Sequence, residues 1–230
     1  MATKNSKLPN RAFAELFGTL IFVLIAAGSV VSATSLQLPS YIALPFVAVA
    51  TGLALALAVS ATMGISGGHL NPAVTIGLLA AGKIKFDEAV VYVIAQLIGA
   101  TVGALLLFAF FPAALGSSVS WGVPALGAGV GVPQAIAVEA IMTFILVFMV
   151  FGTAVYELAP KIGGFGIGLA VTLDALIGGP ITGAAMNVAR WFGPALISLN
   201  FANWYVYILG PVIGGILAAL VFMKLLVGKR

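Results

Sequence analysis

Apolar residues fill this chain in long blocks: no Asp, Glu, Lys or Arg falls between Leu16 and Gly82, nor between Ala89 and Val138. A bilayer crossing takes about 20 apolar residues, so these two stretches hold four or five crossings. In lipid every backbone N–H and C=O must be paired internally, which makes each long apolar run a helix. Interruptions by Gly, Pro, Ser and charge predict six spans: Arg11–Ala33, Tyr41–Met63, Glu88–Phe111, Gln134–Tyr156, Ile162–Ile177 and Trp204–Leu226. Two pieces of half that length remain, Asn71–Ala80 and Asn187–Ile197, each behind a stretch rich in Gly, Ser or Thr. Short interrupted segments at corresponding places in two halves point to a site made from broken helices.

Composition agrees with the pattern. Hydrophobic residues make up 62% of the 230 and charged ones 7%, against about 25% charged in a soluble domain. The net charge of +4 comes from residues at chain ends and short loops, so the interleaved basic surface of a nucleic-acid binder is excluded. No cysteine and a single histidine leave no thiolate chemistry, disulfide or multi-histidine metal site. The polar segment Met1–Asn10 leads into the first span with no small-residue cleavage site, which predicts a retained helix.

Sidedness follows from the basic residues. With the N-terminus inside, Lys4, Lys7, Arg11, Lys83, Lys85, Lys161, Lys224, Lys229 and Arg230 all lie on inside segments, and the outside loops Thr34–Ser40, Pro112–Pro133 and Leu199–Asn203 hold no Lys or Arg. That asymmetry predicts cytoplasmic termini in a plasma or cell membrane. Arg190 alone is left at membrane depth.

The halves, about 11–111 and 134–226, repeat one another. Glu15-Leu-Phe-Gly-Thr19 matches Glu139-Ala-Ile-Met-Thr143, Ser66-Gly-Gly-His-Leu-Asn71 matches Thr182-Gly-Ala-Ala-Met-Asn187, and Gln96-Leu-Ile-Gly-Ala100 matches Pro211-Val-Ile-Gly-Gly215. Three spans per half is an odd number, so the halves lie in opposite orientations. The expected fold is an all-α membrane protein with six transmembrane helices and two re-entrant half-helices in an inverted repeat, its site near the midplane.

The motifs Ser66-Gly-Gly-His-Leu-Asn71-Pro72-Ala73 and Gly179-Pro-Ile-Thr-Gly-Ala-Ala-Met-Asn187-Val188-Ala189-Arg190, followed by Phe192-Gly-Pro194-Ala195, resemble the paired signature of the aquaporins, or major intrinsic proteins. The resemblance covers essentially the whole chain. It implies a passive channel, not an enzyme, with no cofactor, assembled as a homotetramer in the lipid bilayer with one pore per subunit. Asn71, Pro72, Ala73, Asn187, Val188 and Ala189 would then form the pore centre.

Independently of the family, a half-helix beginning at each Asn presents free N–H groups and a positive dipole end. Its side-chain amide can donate to a passing solute. Helix capping alone would explain each Asn equally well, and the two roles are compatible. Val188 stands where the family has proline. Proline suits the first helical position, so valine either leaves the pore unaltered or reshapes its constriction.

The resemblance places Arg190 at an outer selectivity filter with Thr51, Ala175 and Ala184, which lie twenty residues before Asn71 and twelve and three before Asn187. Structural ion pairing is the other reading of a buried cation. Water-selective members carry an aromatic and a histidine where Thr51 and Ala175 stand, so this filter is expected to be wide and to pass water with small neutral solutes such as glycerol or urea. Glycerol-type members have Asp and a basic residue where Trp191 and Ala195 stand, and the loops here lack that type's longer insertions. A glycerol or urea facilitator is the nearest alternative, with a proton-coupled transporter or a scaffolding protein behind it.

Glu15 and Glu139 are read as loop anchors, with a proton relay as the competing role. Asp174 is open between anchoring and a direct electrostatic effect on Arg190 or the solute, and His69 between lining the pore and tying the loop. Gly99 with Gly103, Gly210 with Gly214 and Ala14 with Gly18 are spaced for close helix packing. Trp121, Trp191, Trp204 and Tyr205 are expected in an interfacial belt.

Overall fold

The computed structural model describes residues 6–160 and 162–228, so the basic residues Lys4, Lys161, Lys229 and Arg230 lie outside the described residues. Among the described residues six helices are long and apolar enough to cross a membrane, and three short ones lie between them. In chain order they are α1 (Leu8–Ser35), α2 (Ser40–Thr62), α3 (Pro72–Ala80), α4 (Phe86–Phe110), α5 (Ala113–Ser118), α6 (Val132–Val150), α7 (Gly163–Thr182), α8 (Val188–Ser198) and α9 (Trp204–Leu220). α3 and α8 are the two expected half-helices.

Side-chain size is distributed inside out. Large apolar residues such as Phe13, Leu57, Ile94, Leu173 and Ile177 face outward, while the interior is made largely of Ala, Gly, Thr and hydrogen-bonded polar groups. A lipid-facing surface gains nothing by hiding large side chains, and small ones let backbones approach. α4 packs on α1 and α9 packs on α6 in this way. A Cβ on Gly99 or Gly103 would collide with the carbonyl oxygens of Leu16 or Leu20, and one on Gly214 with that of Ala140.

Two expectations need correction, and two gain detail. α7 runs to Thr182 rather than ending at Ile177, because Pro180 is tolerated inside the helix and the chain breaks only at Gly183, whose φ is 76°. The α6 and α9 spans reach Val155 and Val227 as expected, and both end in widened π turns, Phe151–Val155 and Val221–Val227. The outside segment 112–133 contains α5 and a tight turn, Ser120–Gly122. Finally, Trp121 and Trp191 are buried at 3% and 2% exposure, whereas Trp204 at 51% suits an interfacial belt. Trp121 packs against Phe108 and Trp191 stacks on Tyr207, so their area is spent inside the protein.

Candidate functional site

Each half-helix is entered through a loop that one buried carboxylate organises. The Glu15 side chain on α1 accepts from the Ser66 hydroxyl at 2.6 Å, from the His69 N–H at 3.0 Å and from the Leu70 N–H at 2.7 Å. Glu139 on α6 does the same for the second loop, accepting from Thr182 Oγ1 at 2.6 Å, Ala185 N–H at 2.9 Å and Met186 N–H at 2.8 Å. Tyr92 and Tyr207 close each loop from outside by donating to the carbonyls of Ser66 and Thr182, at 2.7 and 2.9 Å. Backbone without a helix partner is thus satisfied at membrane depth, the anchoring role expected of the two glutamates.

A trans peptide places its N–H and C=O on opposite sides. With the N–H groups of residues 69 and 70 turned onto Glu15, the carbonyls of Gly68 and His69 point away from it; Ala184 and Ala185 are placed likewise by Glu139. Left-handed backbone at Leu70 (φ 49°) and Met186 (φ 51°) then turns the chain into the half-helices.

The two loops meet at the asparagines. Asn71 Oδ1 accepts from the Ala73 N–H at 2.9 Å, and Asn187 Oδ1 from the N–H groups of Ala189 and Arg190 at 2.9 and 3.2 Å. Both residues therefore cap their helices. The amide of Asn71 also donates across to the Met186 carbonyl at 2.8 Å, and that of Asn187 to the Leu70 carbonyl at 2.9 Å. An amide carries two N–H hydrogens, so each retains one that no described residue takes. Two helix N-termini abut here, and their positive ends, with Arg190 one turn further along α8, make the centre hostile to cations. Pro72 and Val188 each open a half-helix. Val188 brings an N–H that proline lacks, and no described residue accepts it.

Cavities open on either side of this centre. The inner one, about 360 Å³, is bordered by Met63, His69, Val74, Leu78 and Ile167; the outer, about 300 Å³, by Val47, Gly122, Gly179, Gly183 and Arg190. Arg190 donates from Nη1 to the Gly122 carbonyl at 2.7 Å and forms no ion pair with a described residue. Thr51 and Ala175 sit one helical turn deeper than Val47 and Gly179, and Ala184 directly follows Gly183. All three are buried, at 4%, 7% and 4% exposure.

His69 does both things left open for it. Its backbone holds the loop, and its ring borders the inner cavity with Nδ1 3.2 Å from Thr75 Oγ1. Asp174 makes no hydrogen bond to a described residue, so it anchors nothing through one.

Several supporting residues escaped the sequence reading. Ser66 and Thr182 stand at matched places in the repeat, a signal sufficient to find them. Gln96, which donates to Glu15 Oε2 at 2.7 Å and to Thr75 at 3.0 Å, is replaced in the second half by Pro211 and so left no repeated mark. Gly122 acts through its carbonyl, which any residue could supply.

The family model described as "Major intrinsic protein" matches residues 2–222. Aquaporin TIP4-4 of Zea mays is 45% identical over 91% of this chain and 83% of its own length. The lens fiber major intrinsic protein of Oryctolagus cuniculus is 39% identical, over 93% of this chain and 80% of that protein. Among solved structures, the aquaglyceroporin from Plasmodium falciparum superposes with a TM-score of 0.85, covering 95% of this chain and 96% of that one at 23% identity; at that identity the likeness concerns the fold.

Proposed function

The chain belongs to the major intrinsic protein family, and from that premise we propose that it is a passive channel for water and small neutral solutes that excludes ions and protons. The observation that carries the reading is the pair of asparagine-capped helix tips, bonded to each other's loops between two open cavities.

A solute entering from the outer cavity first meets the Arg190 guanidinium, which replaces part of its lost hydration with N–H donors. Thr51, Ala175 and Ala184 complete the filter. Their small side chains leave room for a molecule larger than water. At the centre, the free N–H hydrogens of Asn71 and Asn187 both point donors at the solute oxygen. A water molecule held this way offers its own hydrogens outward in both directions, which breaks a continuous proton wire. Carbonyls of Gly68, His69, Ala184 and Ala185 supply acceptors along the two loops. Cations meet two positive helix ends and one guanidinium with no carboxylate paired to it.

The inner cavity, bordered by Arg11 and Lys83, is assigned to the cytoplasmic side, supported by the basic residues at that end. The reading includes a homotetramer, on the strength of family membership. Residues 11–111 and 134–226 are taken as the repeated units. Stopped-flow light scattering on proteoliposomes tests the function: water and glycerol permeabilities well above those of empty vesicles are expected, with no pH-gradient-driven accumulation. Permeability equal to that of empty vesicles would refute it.

A further inference from the structure

Among the described residues the Arg190 guanidinium is held at the outer mouth by one hydrogen bond, from Nη1 to the Gly122 carbonyl at 2.7 Å; its Nε is enclosed and unpartnered. Both residues border the outer cavity. The lean of the cation over the passage is therefore set by a loop carbonyl, and whatever fixes that carbonyl fixes the filter.

The turn that presents the carbonyl is held in an unfavourable shape. Ser120, Trp121 and Gly122 follow one another at φ 46°, 54° and 80°, a left-handed run that glycine alone adopts freely. Such backbone persists only where its surroundings enforce it. Two polar contacts help: the Asn200 amide donates to Ser120 Oγ at 3.2 Å, and the Val123 N–H to the Ser120 carbonyl at 3.1 Å. The larger contribution is a buried aromatic surface. The Trp121 ring, 3% exposed, fills the space over Gly116 of α5, where an added Cβ would strike it, and its centroid lies 3.9 Å from that of Phe108 on α4. Ala27 and Leu107 complete the cluster. Gly122 sits so close to α1 that a Cβ there would come within 2.7 Å of the Ala27 carbonyl oxygen. Trp121 is thus a wedge between α1, α4 and α5, adjacent in the chain to the acceptor of Arg190.

We infer that Trp121 is a positioning residue for the filter: seated on Gly116 and Phe108, it fixes the Gly122 carbonyl and through it holds the Arg190 guanidinium to one side of the passage, an inference that rests on the channel reading above. Trp121 borders neither cavity, so it acts on solutes only through Arg190. Without the wedge the turn relaxes toward right-handed backbone and its carbonyl leaves Nη1. The guanidinium is then free to take other staggered rotamers, which cross the opening. A side-chain torsion has three such wells, so freeing one leaves the full width open for about a third of the time. Water passes beside the cation in any of them. Glycerol, the larger solute, needs the one in which the cation is held aside.

The test measures glycerol and water permeability of the full-length protein in proteoliposomes. Each comparison is a glycerol-to-water ratio within one vesicle preparation, so the fraction of active protein cancels. Trp121→Ala is expected to lower the ratio about threefold, and Trp121→Phe, which keeps a ring over Gly116, by less than about 1.5-fold. Gly116→Ala displaces the ring without altering it. It should lower the ratio in the same way, and it decides the matter if Trp121→Ala yields no functional protein. A packing role would not depend on Arg190, so the comparison is repeated in an Arg190→Ala background, where Trp121→Ala should leave the ratio unchanged. An unchanged or raised ratio in the natural background, or the same threefold fall without Arg190, overturns the assignment. Natural protein that passes water but not glycerol also overturns it and leaves a channel for water standing, whereas passage of neither removes both readings.

Discussion

Replacing Glu139 by Gln isolates what the buried carboxylates contribute. The change keeps the volume of the side chain but exchanges one acceptor oxygen for an NH₂ group. Retaining Oε1 toward Thr182 and Ala185 turns the new amide onto the Met186 N–H, now 2.8 Å from an oxygen; two donors would face each other in a fully buried site. A hydrogen bond to a charged group is worth about 1.5–3 kcal/mol, and a buried donor left without an acceptor costs about 1–3 kcal/mol. A destabilisation of about 3 kcal/mol is therefore expected. The disturbance should also cross between the halves, since the Met186 carbonyl receives the Asn71 amide. Thermal unfolding in detergent and water permeability in vesicles are the two assays, with Glu157→Gln, at an exposed position, as control. Glu139→Gln should melt well below the control and conduct less water. If both variants melt together with the same permeability, the carboxylate does not organise the loop and the anchoring argument is wrong.

The proposed wide filter predicts that Thr51→Phe with Ala175→His lowers the glycerol-to-water permeability ratio by at least about tenfold, a steric rejection; an unchanged ratio would mean these residues do not face the passage. Gly214→Ala should destabilise by about 1–3 kcal/mol, because its Cβ would meet the Ala140 carbonyl on α6 and helix backbones cannot yield locally; a melting curve like that of the natural protein would contradict the packing. Val188→Pro removes an N–H with no described acceptor and fixes a helical φ, so a gain of about 0.4–1 kcal/mol is expected in the same assay. A loss there would show that the valine N–H has a partner.

How much of this could be read from the chain depends on what leaves a mark in it. The six crossings and both half-helices follow from uncharged length, and α3 and α8 begin where the asparagines place them. Glu15 and Glu139 were legible because the repeat shows each twice. Turns of changed pitch were not: in the uniformly apolar ends of α6 and α9 a π turn alters no polarity pattern. Pro180 looked like a stop, yet an exposed proline costs one hydrogen bond in a helix otherwise held by packing on α2 and α6, and the helix continues past it. The contact from Arg190 to Gly122 joins residues 68 apart through a backbone atom, which no residue type announces.

The exchanged asparagine bonds mean that neither half of this protein is finished by its own residues. An ancestral chain of half the length could have sealed its loop only by pairing with an upside-down twin in the same bilayer. Fusing two such copies would fix that partnership permanently and leave matched positions, such as Gln96 with Pro211 and His69 with Ala185, free to differ.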